Sequence, residues 1–413
     1  MWERFRRHTP RFEGLEILKY IGPGFLVAIG FIDPGNWAAN MAAGSRFGYA
    51  LLWMITLSTV MLIVLQRNAA RLGIVTGLCI SEASAKYFKR WISIVFMITA
   101  MIAAMSTALA ELLGAAIGLN MLFGFPLIPG SILVTMLVFV MIVSNSYKKL
   151  ERWMIGFVSL IGLCFLYELQ LIDISWTSTF TGWIQPAFPI GSIPILLSVL
   201  GAVVMPHNLF LHSEIIQSRR SVSGETVVPK HLKYEFFDTM FAMIIGWAIN
   251  SAMIIAAAAI FYSRGIEVTE LSQAHETLQP LLGHAAANIF GFALLCAGIA
   301  SAVTAALAGG SIFAGVIQEP YNIKDIHSKI GVILTLAGGL LAIFFLSDPF
   351  QGLIWSQIAL SVQLPWTIIA LLILTSSKKI MGNYANSNAS NLINWSIAGI
   401  VILLNVMLLV DSF

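Results

Sequence analysis

Charge is what this sequence has least of: only 10% of its 413 residues are Asp, Glu, Lys or Arg, while 58% are hydrophobic, and the mean hydropathy is +0.86. Soluble domains average about 25% charged residues, so the chain has too few to coat a water-facing surface, and a soluble fold is excluded. Cysteine is scarce as well. Cys79, Cys164 and Cys296 stand far apart in apolar or mixed segments. With no CxxC and no Cys/His cluster, neither a zinc site nor a disulfide framework is indicated. The short alternating segments of a membrane β-barrel are missing. The N-terminal MWERFRRHTPRFEG is charged and lacks the apolar core and small-residue site of a cleaved signal peptide.

What is present is a series of long apolar stretches, many of about the 20 residues a helix needs to cross a bilayer. Read by the charge, Gly and Pro that bound them, they give eleven spans: 21–45, 49–72, 91–119, 128–146, 152–171, 190–217, 235–262, 284–314, 328–347, 352–375 and 391–411. The Gly309–Gly310 pair marks a point where the eighth could break. Lys and Arg accumulate on the cytoplasmic side of membrane proteins. With these spans, all of the 23 Lys and Arg except Arg46 and Arg264 fall on one side. The expectation is an all-α membrane protein of the plasma membrane, with residues 1–20 cytoplasmic and the C-terminus extracytoplasmic. Trp53, Trp91 and Trp395, near span ends, fit interfacial anchoring.

Two spans carry helix breakers near their middles. The first contains Asp33-Pro34-Gly35-Asn36 and the sixth Met205-Pro206-His207-Asn208. Proline removes a backbone donor and clashes with the preceding turn, and glycine loosens the chain. One such proline is compatible with a simple kink. Two interruptions, each flanked by polar groups, suit freed carbonyls that line a cavity, because lipid would leave them unsatisfied. They fall in the first and sixth spans, so spans one to five (about 21–171) and six to ten (about 190–375) can form inverted repeats, with 391–411 outside them. Interrupted helices at matching places in two halves point to a transport site near the midplane.

The polar groups at the breaks have a common chemistry. Asp33 is an ionisable group within a span, costly there unless it faces a cavity. Asn36 adds an amide oxygen, Met205 a thioether, and carbonyls around Ala202 lose their helical partner ahead of Pro206. Mg²⁺ and Ca²⁺ prefer all-oxygen shells, whereas a thioether favours softer ions. A Met is most often packing, but Met205 stands beside Pro206-His207. The set suits a divalent transition metal.

These residues resemble the natural resistance-associated macrophage protein (Nramp) family of proton-coupled manganese and iron transporters, in its bacterial form. The resemblance is carried by DPGN at 33–36 and MPHN at 205–208. It extends through AGSRFGYALLW at 43–53, LQRNAARLGIVTG at 65–77, ALAELLGAAIGLN at 108–120, YKKLE at 147–151, ALAGG at 306–310 and SQIALSVQLP at 356–365. It implies a leucine-transporter-like fold with an eleventh helix outside the repeats. It also implies metal ligation by Asp33, Asn36, Met205 and the Ala202 carbonyl, joined by Gln357 when the site is occluded.

On residues alone, His207 and His212 read equally well as proton carriers or as hydrogen-bonded structural groups, while Glu111 is a further intramembrane acid. The resemblance makes Asp33, His212 and Glu111 proton-relay candidates and gives His207 a role in shaping the vestibule. The chain departs from the family at Ala108, where many relatives have an acid. It departs again at His327, Ser328 and Lys329, where relatives open the ninth span with arginines. The expected function is inward transport of Mn²⁺ or Fe²⁺ by alternating access, with protons as coupling ion. The expected partners are the metal and the bilayer, with no nucleic acid and no cofactor, in a monomer. Alternatives are an altered proton pathway, Mg²⁺ as cargo, which Met205 argues against, and a sodium-coupled solute symporter, which the anionic Asp33 argues against. No HExxH or nucleophile–base pair suggests an enzyme.

Overall fold

A chain in hydrocarbon must satisfy its backbone groups internally, and the computed structural model is accordingly helical, with no strand among the described residues. These are residue 30 and residues 32–144, 147–220, 228–273 and 283–411. The segment 1–20 and most of the first half of span one lie outside them. The helices are α1 (Pro34–Phe47), α2 (Leu52–Thr76), α3 (Ile80–Tyr87), α4 (Arg90–Phe123), α5 (Leu127–Ser144), α6 (Tyr147–Gln170), α7 (Trp176–Ile184) and α8 (Ile193–Val203). They continue with α9 (Pro206–Arg220), α10 (Val228–Ile260), α11 (His284–Val316), α12 (Ile326–Ile343), α13 (Pro349–Ser376), α14 (Lys378–Met381) and α15 (Asn388–Asp411). Nine candidate spans among the described residues are long and apolar enough to cross a membrane. Helix α1, in the described part of the first expected span, and the 24-residue α6 fall at the two remaining expected positions.

Helix ends follow local chemistry. Gly124, in the left-handed region at φ 64°, stops α4 where a side chain would be strained. Asp33 caps α1, and proline fills its first position, where a missing N–H costs nothing. The sixth span is broken as expected: α8 ends at Val203, Val204 leaves helical geometry at φ −100° and ψ 67°, and α9 restarts at Pro206. The eighth span is found as expected, and the possible break within it is absent. Helix α11 runs unbroken through Gly309 and Gly310. A Cβ on Gly310 would lie 2.6 Å from the Tyr321 ring and 3.0 Å from Val332, so the glycines admit α12 rather than break the helix.

Without a hydrophobic force between helices in lipid, small residues set how closely they approach. A Cβ on Gly298 of α11 would sit 2.6 Å from the Ala115 nitrogen and 2.7 Å from the Glu111 carbonyl of α4, so these two long helices touch backbone to backbone. The broken sixth span forms the centre: 89% of its apolar stretch is buried, against 28% for the last span. Trp91 and Trp395 are exposed, as anchoring residues would be, but Trp53 is buried. Its indole donates to the Ala187 carbonyl (3.1 Å) and packs on Phe188, so it is a packing residue and not an interfacial anchor.

Candidate metal site

Both breaks meet in the buried centre. Asp33, Asn36, Ala202, Met205 and Gln357 are each 0% exposed. At the start of α1, the Asn36 backbone N–H donates to Asp33 Oδ1 (2.6 Å), which is the cap geometry expected of Asp. That leaves Asp33 Oδ2 buried without a hydrogen bond. In an unbroken helix Ala202 would accept from the N–H of residue 206, but Pro206 has none. The Ala202 carbonyl instead accepts from Asn36 Nδ2 (2.8 Å), which ties the two breaks together. Asn36 Oδ1 is then left unpartnered.

Two further groups converge. Asn208, one turn into α9, donates from Nδ2 to Met205 Sδ (3.4 Å) and so orients the thioether. Gln357, on α13, lies directly over Gly35, where any Cβ would strike its amide. Its Nε2 donates to Ser356 Oγ (3.2 Å), while its Oε1 has no partner. Three unpartnered oxygens, Asp33 Oδ2, Asn36 Oδ1 and Gln357 Oε1, thus belong to residues that meet at the two breaks, Asn36 on Ala202 and Gln357 over Gly35. Together with the Ala202 carbonyl and Met205 they make a buried set of one carboxylate, two amide oxygens, a carbonyl and a sulfur. The proline and glycine that permit it, Pro34, Gly35 and Pro206, are all buried.

The proton candidates fall into two groups. Glu111 of α4 is fully buried and approaches Asp33 and Ser301, although neither of its oxygens completes a hydrogen bond. His207 meets Thr107 through Nδ1 (3.1 Å). The Thr107 hydroxyl proton is given to the Ala103 carbonyl (3.1 Å), so Thr107 accepts from Nδ1–H. In the neutral ring, Nε2 is then a bare acceptor, buried and unpartnered. His212 lies apart from this group and is held through Nε2 by Glu235 Oε1 (2.9 Å), which also accepts from the Thr239 hydroxyl (2.6 Å).

Sequence reasoning missed Glu235, Thr107 and Asn208. Asn208 was visible in the MPHN motif; Glu235 and Thr107 lie on other helices, at separations no local pattern encodes. Glu235→Ala is expected to leave the buried His212 N–H without an acceptor, at a cost of about 1–3 kcal/mol, read as a lower melting temperature in detergent. The His212→Ala/Glu235→Ala double variant should lose less than the sum of the singles; strict additivity would show that the pair is not coupled.

The departures from the family pattern also have structural expression. Ala108 is packed against α12, with a Cβ on Gly339 falling 2.8 Å from the Ala108 Cβ, so a longer side chain at 108 would have to displace that helix. His327 sits half-exposed at the start of α12, hydrogen-bonded through Nδ1 to Glu319 Oε2 (2.8 Å). It is a rim residue rather than a member of the buried cluster. A separate buried group, Cys79, Glu82 and Glu214, is internally satisfied. Glu82 accepts from the Cys79 N–H (2.9 Å) and Gln217 (2.8 Å), and Glu214 from Ser311 (3.1 Å). Burial, then the carboxylates of Glu214 and Glu82, push the Cys79 thiol well above its ordinary range.

Comparison with known proteins agrees with this architecture. The family model described as natural resistance-associated macrophage protein-like matches residues 24–411. A divalent metal cation transporter MntH from Caldanaerobacter subterraneus is 36% identical over 412 residues, covering 98% of this chain and 96% of its own. A crystal structure of the Eremococcus coleocola manganese transporter superposes with a TM-score of 0.84 at 29% identity, covering 97% of this chain and 88% of its own. The nucleobase-cation-symport transporter Mhp1 shares the fold alone, at TM-score 0.60 and 16% identity over 85% of this chain and 77% of its own.

Proposed function

This chain belongs to the natural resistance-associated macrophage protein family, and on that premise we propose that it imports Mn²⁺ or Fe²⁺ together with protons, binding the metal through Asp33, Asn36, Met205, Gln357 and the Ala202 carbonyl. It is a multi-pass membrane transporter of divalent metal ions and not an enzyme. The observation that carries the site assignment is the set of buried, unpartnered oxygens, Asp33 Oδ2, Asn36 Oδ1 and Gln357 Oε1, gathered where two helices break.

The arrangement fits a cation electrostatically. Helix α8 ends at the site with its negative dipole end and the Ala202 carbonyl, while α1 and α9 begin there with their positive ends. The attraction for a cation therefore rests on Asp33 and the donor atoms. Asp33 supplies a single full negative charge, enough to attract a dication and few enough to release it. Mn²⁺ and Fe²⁺ bind weakly in the divalent series, so the sulfur of Met205 helps them compete against the hard ions Mg²⁺ and Ca²⁺. The two broken helices give alternating access, one half rocking against the other around a fixed site.

The distribution of Lys and Arg supports a cytoplasmic N-terminus and an extracytoplasmic C-terminus. Residues 21–411 then form one transport unit, repeats 21–171 and 190–375 with 391–411 outside them, acting as a monomer. Glu111 beside Asp33 gives a second acid within reach of the metal ligand, and His212 with Glu235 a further buried titratable pair. A second reading, metal transport with loose proton coupling, is favoured by Ala108, sealed under α12.

Uptake into proteoliposomes with an internal pH reporter tests both. Mn²⁺ entry should acidify the lumen in the wild type; entry without acidification would leave the metal site standing and sink symport. Met205→Ala in the same vesicles should keep Mn²⁺ entry in buffer alone but lose it under excess Ca²⁺. Unchanged entry under Ca²⁺ would remove the thioether from the site.

A further inference from the structure

On the face of the bundle formed by α2 and α10 lies a cavity of about 350 Å³, into which Arg67, Arg71 and Lys233 project. Arg67 and Arg71 are four residues apart and share one face of α2. The Arg67 guanidinium stacks 5.0 Å over the Phe236 ring, and Arg71 donates to Asn68 Oδ1 (2.9 Å) while its Nε is buried without a hydrogen bond. Among the described residues none of the three cations pairs with a carboxylate. The one acid in the wall, Glu235, has Oε1 turned inward to His212 and Thr239. Like charges gathered around a cavity repel one another unless an anion joins them.

The surroundings say what kind of anion. The cavity opens at the end of the spans where Lys and Arg accumulate, the side on which anionic lipids concentrate and where basic pockets between helices take up their headgroups. From it an exposed apolar stripe leads away toward the bilayer interior. On α10 this is Phe237, Phe241 and Ile244, at 40%, 57% and 47% exposure, and on α2 it is Val60 at 54%. Their spacing of three, four and seven residues keeps them on one helix face. A free phosphate would use only the basic end, whereas a phospholipid would use both.

We propose that Arg67, Arg71 and Lys233 bind the phosphate of an anionic phospholipid whose acyl chains lie along Phe241, Ile244 and Val60. The bound lipid clamps α2 to α10. Because α10 also carries Glu235, which holds His212, the clamp joins the pocket to α9, the second half of the sixth span. The assignment stands whichever ion the protein carries.

The test measures lipid binding by the purified full-length protein in neutral detergent, using native mass spectrometry and melting temperature. The probes are phosphatidylglycerol, phosphatidylcholine and inorganic phosphate. Phosphatidylglycerol should bind and raise the melting temperature where phosphatidylcholine does not. Each of Arg67→Ala and Lys233→Ala should weaken it about fivefold, the size expected for one cation near an anionic headgroup. The triple variant with Arg71→Ala should abolish the preference. Arg67→Lys should keep most of it. If the triple variant fails to fold, the exposed Lys233→Ala still reads the effect. Equal binding of the two lipids, or phosphatidylglycerol affinity unchanged in the single variants, would overturn the proposal. Stabilisation by inorganic phosphate equal to that by phosphatidylglycerol would overturn the lipid and leave a free-phosphate site.

Discussion

Asp33→Asn is expected to abolish Mn²⁺ binding while leaving the protein folded. Asp33 does two things at once: Oδ1 caps α1 through the Asn36 N–H, and the buried carboxylate, beside Glu111, keeps Oδ2 without a completed hydrogen bond. Asparagine caps a helix about as well as aspartate, so the substitution keeps the first role and removes the charge that serves the second. The loss of Mn²⁺ affinity should exceed the roughly 10–100-fold that changes in supporting residues typically cost, because the sole carboxylate among the proposed ligands is gone. Asp33→Ala should lose binding equally and about 1 kcal/mol of stability in addition, the usual cost of an N-cap. Calorimetric titration of Mn²⁺ and thermal unfolding of both variants separate the roles. Undiminished Mn²⁺ binding by Asp33→Asn would mean that the metal site lies elsewhere.

The second large effect is expected at a residue with no ligand atom. A Cβ on Gly201 would overlap the Gln357 carbonyl and come within 2.9 Å of the Ser361 nitrogen. Both obstacles are backbone of α13, a 28-residue helix that cannot yield locally. Gly201→Val must therefore push α8 and α13 apart. Overpacking of this kind costs about 1–3 kcal/mol, occasionally more, and here it also separates Ala202 from Gln357. We expect a lower melting temperature and a fall in Mn²⁺ affinity of at least about tenfold, comparable to loss of a supporting residue. Gly399→Val is the control, since nothing lies within 4 Å of a Cβ there, and it should melt and bind as the wild type. A Gly201→Val protein indistinguishable from wild type would show that the close approach of these helices does not hold the site.

The parts of the protein that sequence reasoning reached are those a bilayer enforces locally. Span length and the helix breaks at Pro34 and Pro206 each follow from a few neighbouring residues. The same local logic left Gly309–Gly310 open, because glycine signals either a break or a close approach and only α12 distinguishes them. It overreached at Trp53, whose indole is held by Ala187 rather than by headgroups. Partners from other helices were out of reach altogether. Thr107 and His207 are 100 residues apart, His212 and Glu235 are 23 apart, and Ala108 against Gly339 shows only after α4 and α12 are packed.

By itself, then, the sequence determined that the chain crosses the membrane, where two of its helices break, and that the side chains at the breaks suit a soft-tolerant dication. Tertiary structure alone decided which face of each helix turns inward and at what depth. The reason is physical: helices that are apolar all round carry no stripe to mark their buried side, and in lipid no hydrophobic force selects one. Rotation and depth come instead from small-residue contacts such as Gly201 with Gln357 and Gly298 with Ala115. Those contacts bring the Asp33 and Met205 breaks, far apart in the chain, to one buried point.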